Sequence, residues 1–167
     1  MRKITLSAAI IFCLGVSLVQ CALGAEKKFS TWEGFEPDKL ASIWLIKRFV
    51  APAAEINIVP KGKLISDGVQ FDTADSDLGR KFNKSTFEMM IDQYRLKDKK
   101  LIAMGRLIHD IEINIWERKV FQSSRTVQTD IGQIINKYKQ SNDETIRRSI
   151  AYFDALYENL PVELMNR

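Results

Sequence analysis

Thiols are nearly missing from this chain. Its two cysteines, Cys13 and Cys21, both lie close to the N-terminus, so the remainder can form no disulfide and can offer no thiolate nucleophile or Cys-ligated zinc. Histidine is rarer still: His109 is the only one, and catalytic zinc sites usually keep at least two nitrogen or sulfur donors. No second hydrophobic span follows the first two dozen residues. No Gly-rich phosphate cradle, Ser/His/Asp elbow or dinucleotide fingerprint is present, and no basic block interleaved with aromatics points to nucleic acid.

What is present first is an export pattern. Arg2 and Lys3 precede an apolar run from Ile4 to Val19, and Ala22-Leu23-Gly24 supplies small residues for a signal peptidase cut before Ala25. The expectation is a signal peptide over 1–24 and a single domain over 25–167, periplasmic or secreted. Two other fates fit the same residues: lipid anchoring at Cys21, and an uncleaved membrane anchor. Membrane contact is expected only in those two cases. Without Arg2 and Lys3, the formal charge of +4 falls to +2, because no acidic residue precedes Glu26.

The mature chain reads as mainly α, in the α+β class: a bundle of about five helices with a small two-stranded sheet or hairpin near residues 55–72. Glu26 to Gly34 is polar and reads as extended or frayed. Pro37, favoured in a first helical turn, opens a helix whose Leu40, Ile43, Trp44, Leu45, Ile46, Phe49 and Val50 cover most of its circumference. Lys39, Ser42, Lys47 and Arg48 are its polar exits. Glu55 to Val59 alternates as a strand does, Val69 to Asp72 is a second strand candidate, and Asp75 to Lys84 reads as a loop. Ser85 and Glu88 have capping-box spacing, as do Ser141 and Glu144. Asp98 caps a helix with apolar stripes on two sides. Two further helices span Arg125 to Lys139 and Asp143 to Glu158.

Chemistry concentrates between Ser85 and Glu112. His109 stands one turn after Gly105, where a missing side chain makes room, and one turn before Glu112; Asp110 projects about 100° away. A histidine simply satisfied within helix packing is the plain alternative. A metal site would combine His109 with Glu88 and Asp38, and with Asp110 or Glu112, an oxygen-rich set suited to a divalent metal such as manganese, iron or zinc. An oxyanion site would use Arg80, Lys81 and Lys84, which run into the helix N-terminus at Ser85, with Arg48 and Arg106 behind them. Solvated surface charge and capping are the corresponding bland readings.

Several ordered motifs carry a family resemblance. Asp38-Lys39-Leu40-Ala41-Ser42 with Trp44-Leu45-Ile46-Lys47-Arg48-Phe49, Thr86-Phe87-Glu88, Leu107-Ile108-His109-Asp110 and Phe153-Asp154-Ala155-Leu156-Tyr157 together resemble the chromate resistance exported protein family. Its domain also forms the C-terminal part of the ChrB chromate-operon regulators. Where that family places a His before the Thr-Phe-Glu segment and a Cys at its start, this chain has Arg80 and Ser85. The resemblance implies a role in chromate or broader oxyanion stress, with Asp38, Arg48, Glu88, His109 and Asp110 as the matched polar positions and Trp44 beside them in the candidate pocket. It implies no reduction, because nothing resembles a flavin, nicotinamide or haem site. Three classes stay open: a binding or accessory protein for a small oxyanion or metal ion, a metal-dependent enzyme using His109 with Glu88 and Asp38, and a non-catalytic structural or interaction domain.

Overall fold

The computed structural model describes residues 28–116 and 118–165. The expected signal peptide over 1–24, with Cys13 and Cys21, lies outside the described residues. A strand stands where the sequence suggests a frayed polar arm: β1 (Lys28–Trp32) is the middle of a three-stranded parallel sheet in the order β2-β1-β3, with β2 at Glu55–Val59 and β3 at Val69–Gln70. Phe29 faces Ile56 on one side and Val69 on the other. Phe29, Ser30 and Thr31 are all fully buried. Ser30 is tolerated there because its hydroxyl donates to Asp67 O at 2.6 Å and accepts from Asn57 Nδ2 at 3.2 Å.

The mainly helical α+β class holds, with three parallel strands in place of the expected two-stranded sheet or hairpin. The helices are α1 (Pro37–Leu45), α2 (Thr86–Gln93), α3 (Lys99–Glu112), α4 (Gln122–Tyr138), α5 (Asn142–Glu158) and the single turn α6 (Val162–Met165). Pro37 sits in the first turn of α1. After Leu45 the helix widens into a π-helical turn over Ile46–Val50, where Ala51 N donates to Ile46 O at 2.8 Å. Ala51 then leaves helical geometry, as a residue before proline does.

α1 is central and packs on α2, α3 and α5. Trp44 is its hub: its ring stacks on Phe87 of α2 (6.4 Å, 12°) and meets Phe153 and Tyr157 of α5 at 6.2 and 5.6 Å. The expected polar exits of α1 divide. Lys39 and Ser42 are buried, and the Lys39 ammonium is satisfied by Trp32 O and Gly34 O at 2.8 and 2.6 Å, with Asp72 at 3.4 Å. On α3, Leu101, Met104, Ile108 and Ile111 are buried, as are Ala103, Leu107 and Asp110, so the helix packs between α1, α2, α4 and α6; Ile102 of the second stripe, and Trp116 beyond the helix end, face solvent.

Candidate functional site

The site is built on the N-terminus of α2. Ser85 Oγ accepts from Glu88 N at 3.2 Å and Glu88 Oε2 accepts from Ser85 N at 2.9 Å, completing the capping box. Asp38 reaches across from the first turn of α1: Oδ2 accepts from Thr86 N at 2.8 Å and Oδ1 from Phe87 N at 2.9 Å. The first three amides of α2 thus all point at oxygen atoms of the protein. The anion-attracting helix end is filled by the chain's own carboxylate. Asp38 is fully buried, and burial pushes its carboxyl up to about 7 against the two amide bonds that pull it down.

The cations expected to hold an oxyanion are likewise engaged. Arg80 Nη2 lies 3.0 Å from Glu36, 2.9 Å from Glu112 and 3.8 Å from Asp38. Glu112 also accepts from Asp38 N at 3.4 Å, and burial raises its pKa. Lys81 Nζ donates to Ser76 O at 3.2 Å, and Lys84 pairs with Asp92. Arg48 forms a two-pronged pair with Asp154 at 2.8 and 2.7 Å, and Trp44 Nε1 donates to the same carboxylate at 2.8 Å. The matched motif positions Trp44 and Arg48 therefore brace α1 against α5.

Asp110 has a related duty. Its carboxylate accepts from Val120 N, Phe121 N, Ser124 Oγ and Asn114 Nδ2 at 2.5 to 3.1 Å. Phe121 occupies the N-cap of α4 and has no capping side chain of its own; Asp110 holds the two amides that lead into the helix, and Glu163 accepts from Ser123 N in its first turn at 3.0 Å. Burial pushes the Asp110 carboxyl up, but the hydrogen bonds from Asn114, Ser124 and the amides outweigh it and hold the pKa below its ordinary value. No local spacing in the sequence signals the roles of Asp38 and Asp110, because each carboxylate holds backbone amides outside its own helix.

Glu88 and His109 do meet. Glu88 Oε2 is 2.9 Å from His109 Nδ1, and the imidazole side chain is 38% exposed. The same oxygen accepts from Ser85 N and from Ser85 Oγ at 3.1 Å, which identifies it as the acceptor and places the shared proton on Nδ1. Nε2 then has no hydrogen-bond partner among the described residues. Gly105 lets the two helices close: a Cβ there would lie 3.3 Å from Ile91 Cδ1 and 3.5 Å from Glu88 Cγ. The room left by its missing side chain is occupied by α2.

Among the described residues no three His, Cys, Asp or Glu side chains converge to hold a metal ion. Of the set Glu88, His109 and Asp38, the first two touch, while both Asp38 oxygens are committed to amides. The site therefore consists of one oriented imidazole beside a compact, internally neutralised charge cluster. No curated protein and no solved structure is similar enough to this chain to match it. Residues 29–160 match the family model of the ChrB C-terminal domain, and the chain belongs to that family, with the chromate-resistance-related role that membership carries.

Proposed function

We propose that this chain is an exported accessory protein of chromate resistance that binds a small oxyanion through His109. The 2.9 Å contact between Glu88 and His109 carries the reading. A carboxylate on Nδ1 fixes the ring and leaves Nε2 as the nitrogen for a ligand, the arrangement by which outer carboxylates orient working histidines. With a proton on Nε2 the ring donates a charge-assisted hydrogen bond to an oxyanion. The export segment over residues 1–24 would deliver this site outside the cytoplasm. The metal-enzyme alternative has less support, since Asp38 is spent on capping α2.

Calorimetric titration with chromate, sulfate, manganese and zinc tests this function. Chromate or sulfate is expected to bind saturably to the wild type and at least about tenfold more weakly to His109→Ala, a loss of roughly 1.4 kcal/mol. Arg48→Ala is expected to bind as the wild type does, because Arg48 is held by Asp154. Equal binding in His109→Ala, or binding of the metals alone, contradicts the reading.

A further inference from the structure

A separate feature lies on the outer side of the same helix pair. The junction of α2 and α3 encloses a cleft of about 450 Å³, floored by Ile91, Leu96 and Ile102 and rimmed by Arg95, Lys97 and Arg106. That volume lies within the range of small-ligand sites. Lys84, Asp92 and Glu88 are also on its wall; Lys84 pairs with Asp92 and Glu88 with His109, so with Arg95, Lys97 and Arg106 the lining carries four cations against two carboxylates. The side chains of Arg95 and Lys97 have no hydrogen-bond or ion-pair partner among the described residues. A smaller groove shares Ile102 and Arg106 and runs on to Leu164 and Met165.

The backbone adds an independent sign. α2 ends in a Schellman motif, with Arg95 N donating to Asp92 O at 3.1 Å and Leu96 N to Ile91 O at 3.0 Å. The residue in the left-handed position of such a motif is usually glycine, because a Cβ is disfavoured there. Here it is Arg95, with φ +52°. Leu96 and Ile91, the apolar pair that accompanies the motif, are the floor of the cleft. A strained position thus holds a long cation on the rim of an apolar hollow, and strain of this kind gathers at ligand sites.

We propose that this cleft binds a small acidic amphiphile, a molecule with a carboxylate head and a short hydrocarbon body. The head meets Arg95 and Lys97, and the body lies on Ile91, Leu96 and Ile102. His109 is not among the residues that line the cleft, although Glu88, its carboxylate partner, is.

The test uses decanoate below its micelle-forming concentration, with decanol and inorganic phosphate as probes of each half alone, followed by backbone amide shifts. Decanoate is expected to saturate, with the largest shifts at Ile91, Leu96 and Ile102, and to bind at least about tenfold more tightly than decanol or phosphate. Arg95→Gly is expected to raise the melting temperature while weakening decanoate at least about fivefold. Arg48→Ala, at a residue that does not line the cleft and is held by Asp154, is expected to leave decanoate binding unchanged. Equal binding of decanol and decanoate, unchanged affinity in Arg95→Gly, shifts centred elsewhere, or no binding by the folded protein each overturns the proposal.

Discussion

Glu88 Oε2 holds His109 Nδ1 at 2.9 Å while accepting from Ser85 N at the same distance, so one oxygen caps α2 and fixes the imidazole together. Glu88→Gln is expected to keep the fold to within about 1 kcal/mol, since the amide oxygen can still accept from Ser85 N. It is expected to weaken oxyanion binding at least about tenfold, because a neutral amide no longer favours the charged, oriented imidazole. Thermal unfolding beside ligand titration separates the two effects. Unchanged affinity would mean that the ring needs no anchor.

Asp38 makes stability fall with rising pH. Its carboxyl is raised from 3.8 to about 7, chiefly by burial, so between those values the folded chain keeps a proton that the unfolded chain has released. That stabilisation is fully present below pH 3.8 and is lost as pH rises through about 7, with a slope approaching about 1.4 kcal/mol per pH unit for one proton. Glu112, also raised, adds with the same sign. Asp98, Asp110 and Asp154 are lowered and act in the opposite sense, below the ordinary carboxylate range. Denaturant midpoints are expected to fall between about pH 4.5 and about pH 7.5, and Asp38→Asn is expected to flatten the trend. A midpoint that rises over this interval is incompatible with a protonated, buried Asp38.

Asp154 is expected to matter more than its partner Arg48. Arg48→Ala removes a half-exposed pair and is expected to cost less than about 1 kcal/mol. Asp154→Ala also strands the indole N–H of Trp44, whose residue is 1% exposed, and is expected to cost about 1 to 3 kcal/mol more. Equilibrium unfolding of both variants checks the order.

Gly105→Ala is expected to stabilise the protein by up to about 1 kcal/mol through helix propensity. The new methyl meets Ile91 Cδ1 at 3.3 Å, the far end of a side chain that borders an open cleft and can turn aside. A loss of stability would show that the α2 and α3 contact has no slack.

Much of the architecture was legible in advance. The capping box at Ser85, the Asp98 cap and the Glu55–Val59 strand declare themselves in residue type and spacing, and the order of the family motifs along the chain pointed to the family that the match over 29–160 establishes. β1 escaped because its centre is Ser30-Thr31, polar residues in the buried middle of a strand whose partners are 27 and 40 positions away. The Thr and aromatic content of Phe29 to Trp32 was the available signal. The anion set Arg48, Arg80, Lys81 and Lys84 read as free charge because each partner, Asp154, Glu112, Ser76 or Asp92, is chosen by tertiary packing. Asp38 and Asp110 looked like site carboxylates for the same reason: binding backbone amides outside their own helix leaves no local mark.

The His109 ring carries the central claim, and it is the only histidine in the chain, so long-range proton–nitrogen NMR of an untagged sample reads it without ambiguity. Nδ1 is expected to carry the proton in the free protein, with sulfate or chromate shifting Nε2 far more than Nδ1 as the site fills. A ring protonated only at Nε2, or nitrogen signals that ignore the oxyanion at saturation, would contradict the account.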